Sequence, residues 1–269
     1  MFPRILHIGN FSLATYGVMA AVGLLVALSL VVKAGRREGL NPDLVWNLGI
    51  LAILSSMVGA KLLMIADDFS FYRAHPSELF SMATLQAYGV FFGGLILAIA
   101  VSLYYIWRHH MPMLKTCDVF APGIAVGHAI GRLGCFAAGC CYGKPTSLPW
   151  AVTFTNPLAN QIVGTPLGVP LHPTQIYEFL LEMANFFFLW WLLKHKRFEG
   201  QVIGAYLFIY GFGRFFFEFL RDDPDRGSAF GGALSVVQVI AIAMVIIGGV
   251  LWMRGFRAEA KPAVATAAQ

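Results

Sequence analysis

The sequence predicts an all-α polytopic membrane protein with seven transmembrane helices. Three observations carry this. Residues are 58% hydrophobic and only 12% charged, whereas soluble domains are about one quarter charged, so a soluble fold could not hide this much apolar surface. Apolar stretches of near-spanning length recur at roughly 12–32, 45–66, 87–107, 117–136, 176–193, 201–219 and 233–253, and about twenty apolar residues are enough to cross a bilayer. Alternation of strand period is absent, and no linker interrupts the series, which gives a single membrane domain over residues 1–269.

The first stretch reads as an anchor rather than a cleaved signal peptide, because its apolar run is too long and no small-x-small cleavage pattern follows it. Basic residues set the orientation. Lys33, Arg36, Arg37, Arg108, Lys115, Lys194, Lys196, Arg197, Arg254, Arg257 and Lys261 fall at one set of turns and ends; Arg4, Arg73, Lys144, Arg221 and Arg226 fall at the other. The larger group marks the cytoplasmic side. The amino terminus is therefore expected outside and the carboxyl terminus inside, with an Ala-rich disordered tail over roughly 258–269. The proline-rich segment at roughly 137–175 then forms a small irregular periplasmic cap, with a β-prone run at Trp150–Phe154. No internal repeat is visible, which disfavours an inverted-repeat transporter.

Chemistry is sought where the membrane makes polarity costly. An ionised side chain near a helix centre costs about 2.5–3.5 kcal/mol, so Lys61, Arg132, Arg214 and Glu218 must pair, meet water or meet a ligand. On the sixth stretch Tyr210, Arg214, Glu218 and Arg221 share one helical face; on the fourth, His128, Arg132 and Cys135 do; on the fifth, Gln175, Glu178, Glu182 and Asn185 do. Three polar seams can converge on one interior site. A planar guanidinium there suits a phosphate, and a phospholipid head group is the abundant phosphate at that depth. Glu178 and Glu182 read as bundle partners, and His172-Pro173 as the entrance to the fifth helix.

The cysteines divide by position. Cys117 reads as a small buried apolar residue. Were the helix to continue through Cys135 and Cys140, about 7.5 Å of axial rise would separate them, too far for a disulfide; Gly139 permits the helix to end first. Zinc held by these thiols with His128 is not the favoured reading, because His128 lies about two turns away, and no metal or cofactor is called for.

Gly131-Arg132-Leu133-Gly134-Cys135-Phe136-Ala137-Ala138-Gly139-Cys140-Cys141-Tyr142-Gly143 resembles the signature G-R-x-G-N-F-x-N-G-E-x-x-G of the phosphatidylglycerol–prolipoprotein diacylglyceryl transferases. Tyr16-Gly17, Gly59-Ala60-Lys61, Phe91-Phe92-Gly93-Gly94, the run from His172 to Glu178, and Gly213-Arg214-Phe215 to Glu218 follow the same family in order along nearly the whole chain. Departures are specific. Cys135 and Ala138 replace the signature asparagines, Cys140 its glutamate, Phe92 a histidine and Lys61 an arginine. The resemblance implies a multi-pass enzyme of the bacterial cytoplasmic membrane. It would move the diacylglyceryl group of phosphatidylglycerol to the lipobox cysteine of a prolipoprotein signal peptide, forming a thioether and releasing glycerol phosphate, with no nucleic-acid partner.

On that reading Arg132 and Arg214 clamp the phosphate, Glu218 orients Arg214, and Tyr16 bonds the head group. Gly134, Cys135, Cys140 and Arg221 line the substrate site. His128, one turn from Arg132 on the same face, either bonds across a helix interface or stands as a relocated base in place of the family histidine, and a thiolate of Cys135 or Cys140 is the other candidate for base or nucleophile. Two rivals remain: a sibling transferase using another lipid or thiol acceptor, and a nonenzymatic lipid or anion transporter.

Overall fold

The structure, a computed structural model, describes residues 2–8, 11–81, 84, 89–221, 227–229 and 232–266. Among the described residues, seven helices are long and apolar enough to cross a membrane. They are α1 (Thr15–Arg37), α2 (Pro42–Asp67), α3 (Phe91–Arg108), α4 (Met113–Ala138), α5 (Thr174–His195), α6 (Gln201–Leu220) and α7 (Val236–Thr266). Number and order match the sequence expectation. The apolar part of α7 ends at Gly255, and the helix continues into the Ala-rich tail where disorder was expected. Arg226, one of the residues counted for orientation, lies outside the described residues.

Strands among the described residues form only two-stranded pieces. A hairpin of β1 (Arg4–Ile8) and β2 (Phe11–Ala14) precedes α1, a detail that the search for spanning runs passed over. β3 (Val152–Thr153), inside the β-prone run, pairs with β4 (Pro170–Leu171), and β5 (Ser228–Ala229) pairs with β6 (Leu234–Ser235).

The chain folds as two compact units, residues 32–116 and residues 1–31 with 117–269. In the first, the Asn41 side chain accepts from the backbone N–H groups of Asp43 and Leu44 at 2.9 and 3.4 Å, and Pro42 supplies the first helical residue, so α2 starts where its orphan donors are satisfied. It packs on α3 through Gly59 and Gly93: a Cβ on either would overlap the other's carbonyl oxygen. The same close approach, made possible by small residues, serves helix packing in lipid, where apolar surface alone gives no preference between protein and hydrocarbon.

In the second unit, α1 meets α4 through Gly23, where an added Cβ would stand 2.9 Å from the Gly127 carbonyl oxygen. Helix α6 packs between α5 and α7. Its amino terminus has Gly200 at the cap position and no side-chain cap of its own. Asp118 of α4 takes that role. Its carboxylate accepts from the N–H groups of Gly200, Val202 and Ile203 at 2.8–3.0 Å, and Lys196 approaches it at 3.3 Å. A buried carboxylate thus answers the unsatisfied donors and positive end of a neighbouring helix.

Polarity is distributed inside out. Leu25, Phe187, Phe212 and Ile246 are exposed, whereas Gln175, Glu178, Glu182, Asn185 and Arg214 are buried. Lipid tails accept the former without cost, and the interior is where the latter can find partners.

Candidate functional site

Helix α5 carries Gln175, Glu178, Glu182 and Asn185 on one buried face. A carboxylate there needs compensation, and it comes from α4 and α6. Nη2 of Arg132 lies 2.6 Å from Oε2 of Glu178, while Nη1 of Arg221 and Nη1 of Arg214 lie 3.3 and 4.0 Å from Oε1. One carboxylate therefore faces three guanidiniums. Arg214 is also held from its own helix, donating through Nη2 to Oε2 of Glu218 at 2.7 Å, and Oε1 of Glu218 accepts from Ser235 Oγ at 3.0 Å. The three seams seen in the sequence meet at Glu178.

His128 fixes Arg132 from the other edge. Its Nε2 accepts from Nε of Arg132 at 3.1 Å, which places the imidazole proton on Nδ1, donating to Oε1 of Glu182 at 2.9 Å. The ring meets Tyr210 edge-on with centroids 5.3 Å apart, and Tyr210 stacks on Tyr206. Seven buried side-chain polar atoms have no hydrogen-bond partner among the described residues, and Nη1 of Arg214, Oε2 of Glu178 and Oε2 of Glu182 are three of them. A buried donor or acceptor left in this state costs about 1–3 kcal/mol, so each needs an explanation. The Arg132 side chain keeps 13% of its surface accessible, so the guanidinium is braced rather than sealed.

Helix α4 stops at Ala138 because Gly139 turns to φ +85°, and Cys141 follows at φ +62°, a conformation rarely adopted by a residue with a side chain. The turn removes the axial separation that a continued helix would impose. The sulfurs of Cys135, Cys140 and Cys141 all lie within 4.8 Å of one another as free thiols. Thr174 Oγ1 donates to the carbonyl of Cys141 at 2.7 Å, and Gln175 Nε2 to that of Cys140 at 2.6 Å, so α5 pins the turn. Hydrogen bonding within the trio drives the vicinal pair apart: Cys141 is held below the ordinary thiol range, with Arg221 and Arg132 adding to the effect, and Cys140 above it. Tyr16 of α1 comes up against α4 beside the same group. Gly134 makes room for it, since an added Cβ would stand 3.3 Å from the Tyr16 Cα.

Arg132, Arg214, Arg221 and His128 thus surround Glu178, Glu218 holds Arg214 from behind, and Tyr16, Gly134, Cys135 and Cys140 gather beside the turn that follows α4. Lys61 and Phe92 belong to the other unit, where Lys61 Nζ donates to the carbonyl of Thr84 at 2.6 Å and Phe92 packs against Phe91. His172 Nδ1 lies 3.3 Å from the Tyr177 hydroxyl, which accepts from Trp150 Nε1 at 2.7 Å, consistent with a structural entrance to α5. Glu178 was expected to hold partners in the bundle, and it does so as the shared counter-charge of three guanidiniums, a number that the sequence did not give away. The signal for such partners was its spacing on the polar face of α5.

Comparison with known proteins follows the same residues. A family model described as prolipoprotein diacylglyceryl transferase matches residues 3–254. A Clostridium tetani protein named phosphatidylglycerol–prolipoprotein diacylglyceryl transferase is 38% identical over 92% of this chain and 95% of its own. A Clostridium perfringens protein of that name, numbered 2, is 36% identical over 91% of each chain. One from Finegoldia magna is 32% identical over 89% of this chain and 90% of its own.

Proposed function

The chain belongs to the prolipoprotein diacylglyceryl transferase family, and from that premise we propose that it transfers the diacylglyceryl group of phosphatidylglycerol to the lipobox cysteine of prolipoproteins. The observation that carries the reading is the guanidinium cluster on Glu178. Arg132 and Arg214 present cationic donors inside the apolar bundle, and Nη1 of Arg214, 4.0 Å from Oε1 of Glu178, makes no hydrogen bond among the described residues. Such donors stabilise the negative charge that develops on a departing phosphate, and do so more strongly in a dry site than in water.

A phosphate arriving between Arg132 and Arg214 competes with Glu178 for them. As Arg132 turns toward it, the Nε2 lone pair of His128 is released. His128 can then take the thiol proton, while Glu182 on Nδ1 stabilises the resulting imidazolium. Glu218 holds Arg214 in place, Tyr16 bonds the head group, and Arg221, Gly134, Cys135 and Cys140 line the acceptor side. The thiolate sulfur attacks the glyceryl carbon, the carbon–oxygen bond to phosphate breaks, and glycerol phosphate leaves with the electron pair.

The protein is a multi-pass protein of the bacterial inner membrane on this reading. It works as one membrane domain with its amino terminus and the 137–175 cap outside and its carboxyl terminus in the cytoplasm. The test is a purified, full-length protein in vesicles with a lipobox peptide. Phosphatidylglycerol should add one diacylglyceryl mass to the peptide and release glycerol phosphate. Transfer from a different phospholipid alone would instead identify a sibling transferase, and lipid or anion flux with no change in peptide mass a transporter.

A further inference from the structure

We propose that Cys135, Cys140 and Cys141 form a zinc site whose open fourth position binds the acceptor thiol. The inference rests on the transferase reading for the identity of that thiol, but the site itself is argued from the fold. Three observations converge. The sulfurs lie within 4.8 Å of one another; zinc–sulfur bonds of about 2.3 Å would set them about 3.8 Å apart, a contraction reachable by side-chain rotation. The backbone that gathers them is specialised, with Gly139 and Cys141 both at positive φ. The turn is also fastened from outside, by Thr174 and Gln175 on the carbonyls of Cys141 and Cys140. A ligand set held by such supporting bonds is pre-organised rather than accidental.

Three protein ligands with one open position is the pattern of catalytic rather than structural zinc. Three thiolates on a dication leave one negative charge. His128 is not needed as a ligand, since its two nitrogens are engaged by Arg132 and Glu182. That removes the distance objection that counted against zinc in the sequence.

The chemical role follows from the reaction. A thiol that coordinates zinc loses its proton outright, here to His128 once Arg132 has turned to the phosphate and freed Nε2, and is presented as zinc-bound thiolate. Its sulfur forms the bond to the glyceryl carbon as the carbon–oxygen bond to phosphate breaks, and the neutral thioether then dissociates from the metal. No oxidant or reductant is required. Three thiols in one turn supply a soft-metal cradle that oxygen donors in their place would not.

The experiment uses full-length protein purified in detergent, stripped with a chelator, reloaded with Zn2+ or Co2+, and washed. One metal per chain is expected by elemental analysis, with a cobalt–thiolate absorption band. Cys135→Ser, Cys140→Ser and Cys141→Ser should each lower metal retention roughly ten-fold or more, and Cys117→Ser should leave it unchanged. A lipobox peptide should shift the cobalt spectrum, and the same peptide with Ser in place of its Cys should not. Failure to retain either metal, equal retention in the triple serine variant, or a spectrum indifferent to the peptide thiol would overturn the proposal. These readouts need no turnover. A zinc-loaded protein that binds the thiol but transfers nothing from phosphatidylglycerol would support the site and count against the transferase reading.

Discussion

Arg132 Nη2 stands 2.6 Å from Oε2 of Glu178, across the interface between α4 and α5. The contact joins two helices through the carboxylate that also faces Arg214 and Arg221. Removing the carboxylate leaves three cations without their shared counter-charge. Breaking a buried pair by deleting one partner costs about 3–5 kcal/mol, so Glu178→Ala should lower the thermal unfolding midpoint of the detergent-solubilised protein markedly and reduce its amount in the membrane. Glu178→Gln, which keeps volume but not charge, should sit between. A wild-type melting profile for both variants would remove Glu178 from the centre of the bundle.

Lysine should fail at the two arginines for a geometric reason. Arg132 uses Nε on His128 and Nη2 on Glu178 at once, and Arg214 uses Nη2 on Glu218 while Nη1 makes no hydrogen bond among the described residues. An ammonium cannot reproduce two diverging planar donors. Arg132→Lys and Arg214→Lys are expected to stay folded and to lose about 100-fold or more of transfer, the scale seen when one charge-stabilising donor is removed. Mass measurement of a lipobox peptide reports it; normal turnover in both would mean that diffuse positive charge suffices.

The seven helices were legible because hydropathy is a one-dimensional signal that the bilayer enforces on every span. Much of the site was legible too: Arg132, His128, Arg214 and Glu218 announce themselves by being polar at intramembrane depth. What the sequence withheld depends on which faces meet. Glu178 and Glu182 look equivalent on α5, yet Glu178 faces the arginines and Glu182 the histidine. The turn at Gly139 could be permitted from sequence but not required, and it decides whether Cys135, Cys140 and Cys141 are neighbours.

Asp118 shows the same limit and offers a stability test. Nothing local marks it as the cap of α6, eighty-odd residues on, but its carboxylate takes three backbone N–H groups there. Loss of a capping side chain costs about 0.5–2 kcal/mol, and the buried setting places Asp118→Ala at the upper end. Asp118→Asn, which can still accept, should recover part of the loss in the unfolding midpoint. Indistinguishable Ala and Asn variants would show that the hydrogen bonds do not hold the helix end.

Orientation is tested by reporters. On the proposed orientation, drawn from the excess of Lys and Arg at one set of helix ends, the α5–α6 connection is cytoplasmic. A fusion after Lys196 should read cytoplasmic and one near Pro157 external. The reverse pattern would put the thiol turn on the cytoplasmic side and remove it from a secreted acceptor.

The base is the most discriminating test of the mechanism. His128 is held between Arg132 on Nε2 and Glu182 on Nδ1, an arrangement that can serve packing alone or can release a lone pair when Arg132 turns to phosphate. The two differ in what replacements do. If His128 only braces Arg132, His128→Gln should preserve transfer, because an amide oxygen can accept from Nε and an amide nitrogen can donate to Glu182. If it takes the proton, His128→Gln and His128→Ala should both lose about 100-fold or more while the folded protein remains in the membrane. We expect the second result, with Glu182→Gln weakening transfer less, since it only removes stabilisation of the imidazolium. Phe92→His in the His128→Ala background adds a decisive arm: Phe92 occupies the place of the histidine in the family motif, so recovered transfer would show that positions 92 and 128 serve one chemical role. Full activity of His128→Gln across a pH series would exclude His128 as the base.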